Sequence, residues 1–344
     1  MQVFKQSFFY AAILIAGVLC LATLILLIAG APPVDAFKHL FLGSLGSWIK
    51  FSQVLTAWIP LTLCACGLVY TFRIGLWNIG VEGQVVAGAI SATAILRMGA
   101  TSGMPEFFLI LAFLCGMFGG GLWAAFAGFL KTKGGVNEIF AGLGLNFVAQ
   151  AITLWLIFGP WKRPGIASMS GTQPFSPEMW LPTLSALRLS PVGLLLTMVV
   201  LTGTGWVLKS TRLGLALKGI GHNPKAAYLH GLKPEIYMLF AMGLAGGCAG
   251  LAGTFQVTGV YHRLIPAISS NYGYLALLVV MLANYRVCWT PAIACFFACL
   301  NVGSIQLPMI LQLDSSLSGI IQGTLVLATL FMQARRVKDT RKQP

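Results

Sequence analysis

The sequence predicts an all-α fold, a polytopic membrane helix bundle of about ten transmembrane helices, on three observations. The chain has 344 residues, 57% of them hydrophobic and only 9% charged, with a mean hydropathy of +0.85. It repeatedly runs about 20 residues with almost no charge, the length a helix needs to cross roughly 30 Å of hydrocarbon. Its excess of 22 Lys and Arg over 8 Asp and Glu is scattered between apolar segments and not gathered into a basic face with aromatics. That pattern is a topology signal and excludes nucleic acid as a partner.

Apolar runs and their breaks place spans at 8–30, 51–71, 76–96, 106–130, 137–159, 190–208, 236–258, 271–285, 288–306 and 314–333. Only Phe72-Arg73-Ile74-Gly75 separates the second from the third. The chain must turn sharply there or run partly unwound, which is tolerable only where protein or water covers the backbone. The run after Lys5, ending in Ala29-Gly30-Ala31, imitates a secretory signal. At about 23 residues it is too long for a signal core, so it is expected to stay as a helix. The proline-rich segment 160–189 is expected to be a structured outer loop. The whole chain, 1–344, reads as a single transmembrane domain with a basic tail at 334–344.

With the N-terminus inside, the inner segments hold 15 Lys and Arg and the outer segments 7. That bias puts both termini in the cytoplasm. The 8 cysteines fall within or at the edge of apolar segments. They show neither the loop placement of a disulfide framework nor a metal-binding spacing, and read as packing residues. The four histidines have no HExxH-like spacing either.

Lipid gives helices no hydrophobic reason to associate, so small residues that let backbones approach carry much of the packing. The fourth span repeats one at every fourth position, Gly116, Gly120, Ala124 and Gly128. The seventh carries three rows: Gly243 and Gly247; Gly246 and Gly250; Ala245, Ala249 and Gly253. The seventh is therefore the expected heart of the bundle.

The longest inner loop, "KSTRLGLALKGIGHNPKAAYLHGLKPE" at 209–235, holds a short helix. Asn223 suits the N-cap, Pro224 the first turn, and Gly231 the left-handed residue after its end. So short a helix is marginal alone and must dock on something. Ala226 and Ala227 suit a snug socket on a partner protein better than a lipid surface.

This segment resembles the cytoplasmic coupling segment of permease subunits of bacterial ATP-binding cassette importers. "FRIGLWNIGVEGQ" and "GGVNEIFAGLGLNFVA" resemble the "FNIGxEGQ" and "NEV…LNY" segments of the nucleoside and simple-sugar branch of the branched-chain amino acid, ribose and nucleoside permease superfamily. The likeness covers about residues 50–335. Trp77 stands where the family often has Phe, and 271–294 lacks the family's usual glycine-rich run.

The resemblance implies a multi-pass subunit of the bacterial cytoplasmic membrane. It also implies a separate ATPase gripping Asn223, Pro224, Ala226, Ala227 and Gly231, a second permease subunit, identical or different, and an extracytoplasmic substrate-binding protein. No GxxxxGK[ST] phosphate loop occurs; in "GTGWVLKS", Leu208 occupies the place of the second Gly. ATP is thus expected on the partner chain, and this chain is not expected to be an enzyme or to carry a cofactor or metal.

Asn78, Glu82, Gln84, Glu138 and Asn146 are polar residues in apolar surroundings. Asn78 and Glu82, four apart, are expected on one helix face, with Gln84 elsewhere. Glu138 and Asn146 can line a broad face with Gly142. A carboxylate at membrane depth costs at least about 2.5 kcal/mol, so both Glu should face protein or water. Either these residues line a polar pathway or they pin a broken helix, and Glu138, at the start of its span, suits a structural or gating role. Two other functions compete: a self-contained secondary carrier, against which stands the lack of a clear midplane carboxylate, and an importer of the same superfamily for another small solute.

Overall fold

The computed structural model describes residues 32–311 except 101, 166–170, 185, 186 and 188, together with 20, 23, 24, 27, 28, 30, 323 and 324. Apart from those isolated residues, the expected spans at 8–30 and 314–333 lie outside the described residues, as does the basic tail at 334–344.

The helices are α1 (Pro33–Leu45), α2 (Trp48–Arg73), α3 (Val81–Gly99), α4 (Pro105–Thr132), α5 (Glu138–Phe158), α6 (Pro191–Ser210), α7 (Arg212–His222), α8 (Pro224–Leu229), α9 (Pro234–Phe255), α10 (Tyr272–Leu282) and α11 (Thr290–Leu311). A π-helical turn, Gln256–Val260, continues α9. Among the described residues there is no strand, only an isolated bridge between Leu184 and Leu189.

Among the described residues, five helices are long and apolar enough to cross a membrane: α2, α4, α5, α6 and α9 with its continuation to Val260. α3 occupies the expected third span, but Glu82, Gln84 and Arg97 dilute its apolar run. α10 and α11 are shorter apolar helices. Two helices were not anticipated. α1 fills a segment expected to be loop, burying Ala36, Leu40, Gly43 and Ser44, which lie at helical spacing on one face. α7 precedes the expected coupling helix and buries Gly214, Ala216, Leu217 and Ile220.

The local sequence explains most helix starts. Asn137 caps α5 by accepting from the Ile139 N–H at 2.9 Å, and Ser190 and Thr211 cap α6 and α7 in the same way. Proline occupies the first turn of α4, α6 and α9, where its missing N–H would have no helical partner anyway. α3 and α10 are the exceptions: Gly80 and Asn271 at their N-caps offer no side-chain cap.

The chain forms two compact units, residues 1–57 with 295–344 and residues 58–294. In the first, Gly303 of α11 lies against the Leu40 backbone of α1, leaving no room for a side chain. In the second, α3, α4 and α9 make the closest association. Gly88 of α3 and both Gly116 and Gly120 of α4 meet the backbone of α9 around Gly246 and Gly250, and Gly253 meets α3 at Val85. α9 is central as expected, and two of its three small-residue rows form these contacts. The third row also borders α4, where Gly247 adjoins Met117 and Gly121 faces the Gly243 carbonyl, although Gly243 has open space where its own side chain would go.

Candidate functional site

After Arg73 the chain leaves α2 and runs through a non-helical stretch to Gly80, with Gly75 in the left-handed region at φ 86°. Asn78 sits in this stretch, ahead of α3, so it cannot share a helix face with Glu82. Its partner is Gln84. Asn78 Nδ2 donates to Gln84 Oε1 at 3.0 Å, and Gln84 Nε2 donates back to Asn78 Oδ1 at 2.7 Å. Both residues are 1% exposed, so the reciprocal pair satisfies two amides that would be costly to bury alone.

α3 and α10, which begin with neither a side-chain cap nor a proline of their own, receive caps from other helices. Asn146, midway along α5, accepts from the Gly83 N–H at 2.8 Å and donates to the Ile79 carbonyl at 3.1 Å, closing the N-terminus of α3. Glu82 of α3 accepts from the Tyr274 N–H at 3.0 Å, and its carboxylate also faces the Gly273 N–H and the Ser269 hydroxyl. It therefore caps α10, where the helix dipole favours a negative charge. Asn146 donates in addition to the Tyr274 hydroxyl at 3.2 Å. One side chain from α5 and one from α3 thus hold two helix N-termini together inside the bundle. Arg73 is the partner of neither Glu82 nor Glu138. Glu138 pairs with Lys131 at 2.7 Å, linking the start of α5 to the end of α4.

α10 is bordered at both ends by pairs of non-glycine residues with positive φ. Ser270 and Asn271 precede it at 49° and 59°, and Asn284 and Tyr285 follow at 51° and 60°. Side chains adopt this conformation at a steric cost.

The coupling segment is built as the sequence suggests at its ends. Asn223 Oδ1 accepts from the Ala226 N–H at 3.1 Å, Pro224 opens α8, and Gly231 follows it at φ 83°. Ala226 is half-buried, and Ala227, at 7% exposure, faces its own chain. Tyr228 and Leu229 stand outward, 66% and 84% exposed. α7, packed beside α8, brings Gly221 so close to the Arg73 carbonyl that any side chain there would collide with it. The coupling segment thus rests on the backbone that leads into the Asn78 stretch.

At the far end of α9 from α8, segment 172–181 is laced to the end of α9 and the residues after it. The Thr172 N–H donates to the Leu264 carbonyl at 2.9 Å, Phe175 to His262 at 2.9 Å, and Leu181 to Thr258 at 3.1 Å. The His262 ring stacks on Trp180, with centroids 3.9 Å apart. The expected structured outer loop is therefore tied to α9. Sequence reading missed Tyr274, Gly273 and Gly221, because their roles come from tertiary contact and no local spacing marks them.

Long apolar helices enclosing paired amides, with one helix end capped by a carboxylate and another by an amide from neighbouring helices, define a helical membrane protein. Residues 50–330 match the family described as "Branched-chain amino acid transport system / permease component", and the chain belongs to that family. It is 30% identical, over 92% of its own length and 84% of the relative's, to the glucose ABC transporter permease protein TsgB13 of Haloferax volcanii. It is 27% identical over 91% of both chains to the guanosine ABC transporter permease protein NupP of Bacillus subtilis. With the nucleoside ABC transporter permease protein NupB of Lactococcus lactis it shares 24% identity over 83% of this chain and 80% of the relative. The protein is thus a permease subunit of an ATP-binding cassette importer, a transport component and not an enzyme.

Proposed function

We infer that this chain forms the membrane path for a nucleoside or simple sugar and is driven by a separate ATPase that grips α8. The whole chain acts as one permease domain in the cytoplasmic membrane, with ten spans and both termini inside. It works with a second permease subunit and an extracytoplasmic binding protein. The names of the relatives, which specify glucose, guanosine and nucleosides, support the solute class.

The observation that carries this reading is the contact of α7 with the end of α2. A partner that moves α8 moves α7 with it, and Gly221 transfers that displacement to the Arg73 carbonyl. The next residues lead to Asn78 and Glu82, and through Glu82 to α10. Asn223, Pro224, Ala226, Ala227 and Gly231 shape the coupling element. Asn78, Gln84, Glu82, Glu138 and Asn146 hold the gate that it works.

Because Ala227 faces its own chain, a charge placed there would disrupt the segment itself. Leu229 is the cleaner probe. Leu229→Asp is expected to abolish both uptake and co-purification of the ATPase while the chain still inserts. Uptake at the wild-type rate in that variant overturns the docking role.

A further inference from the structure

The paired and capping groups of the gate are turned inward, which leaves the question of what the solute touches. Asn146 lies eight residues into α5, about 12 Å along the helix from Glu138. The whole of α5, with 21 residues, is roughly 30 Å long, so Asn146 lies deep between its ends. Tyr274, joined to it by the 3.2 Å hydrogen bond, is 40% exposed. Asn271 at the N-cap of α10 is also exposed. Phe140 and Phe147 stand open on the adjoining face of α5.

A face with open aromatic rings alone would suit lipid. An exposed phenol hydroxyl and an exposed amide among them would not, since hydrocarbon offers them no partners. Such groups are found where a helix lines a watery cavity, and short, interrupted helices inside the bilayer mark those places.

The geometry points to a solute-contact site on this face, in which the Tyr274 hydroxyl, oriented by Asn146, and the Asn271 amide bond the hydroxyls of a polyhydroxylated ring and Phe147 offers a flat apolar surface to it. The site rests on the importer reading above and names the residues the cargo meets. Tyr274 can donate outward while it accepts from Asn146. The Asn271 side chain makes no cap bond to α10 and is exposed three residues before Tyr274. The site also sits on the element that Glu82 caps, so movement of α10 would change the grip on the cargo.

The test uses the assembled transporter in membrane vesicles, with the native cysteines of this chain replaced by Ser or Ala and with labelled guanosine and labelled glucose as probes. Asn271→Cys, and separately Phe147→Cys, should react with a water-soluble methanethiosulfonate, and the transported probe should slow that reaction. Tyr274→Phe should lower uptake about 3- to 10-fold, the effect of one lost hydrogen bond, with the ATPase still co-purifying. Reaction only with lipid-soluble maleimides, or reaction that neither probe slows, overturns the site. Uptake in Tyr274→Phe at the wild-type rate overturns the part given to the hydroxyl. Leu229→Asp in the same background keeps the two readings apart, because its uptake reports on ATPase coupling while the labelling reports on the face itself.

Discussion

Asn78 and Gln84 satisfy each other's amides in a place where neither could reach water. Removing one leaves the other buried without a partner, so Asn78→Ala is expected to destabilise the fold by about 1–3 kcal/mol. The double variant Asn78→Leu/Gln84→Leu should recover part of that loss, read as a higher melting temperature in detergent than the single variant shows. At the opposite end of the bundle, burial holds the His262 ring below its ordinary pKa of 6.5. The folded clasp therefore favours neutral imidazole. Its contribution is complete above pH 6.5 and is lost as pH falls through the lowered value, because the unfolded chain takes up the proton more readily. Acidification should loosen segment 172–181, seen as faster hydrogen exchange there, and His262→Phe should remove the pH dependence while keeping a ring against Trp180. Of these residues, the sequence makes Asn78, Glu82 and Gln84 conspicuous because polar groups stand out in apolar runs. It cannot show that Asn78 precedes the helix, because hydrophobic spacing does not mark where α3 begins.

Among the helices, small residues decide how closely α3, α4 and α9 can lie. A methyl group at Gly250 would meet the Gly116 backbone, whereas one at Gly243 would meet nothing. Gly250→Ala should cost about 1–3 kcal/mol through overpacking, and Gly243→Ala should be harmless, both read from melting temperature in detergent. The rows were legible in the sequence as rows. Which of them faces a neighbour depends on helix rotation, which equal spacing leaves open. α8 was legible because capping is local: Asn223, Pro224 and Gly231 each act on the backbone beside them. α10 was less so, since its cap comes from Glu82, distant in sequence. Glu82→Gln retains an acceptor for the Tyr274 N–H, whereas Glu82→Leu removes it and should lower stability by about 1 kcal/mol, the usual worth of a cap.

For the molecule as a whole, the charge bias and the apolar runs made a membrane bundle legible, and the motifs made its family legible. The number of spans is less so, because α3 and α10 are interrupted or diluted by polar residues that packing, not hydropathy, accommodates. Fusions of a periplasmically active phosphatase should be inactive when joined after Gly231 and active within segment 160–189, as cytoplasmic termini require; the reverse pattern would invert the topology. The awkward left-handed pairs beside α10 carry a last consequence. A rod seated between two stiff, sterically uncomfortable joints behaves as a sprung latch, tense at rest and reluctant to swing unless driven. Ser270→Gly with Asn284→Gly would slacken both joints, and the transporter that results should hydrolyse ATP as before yet move less cargo for each ATP consumed.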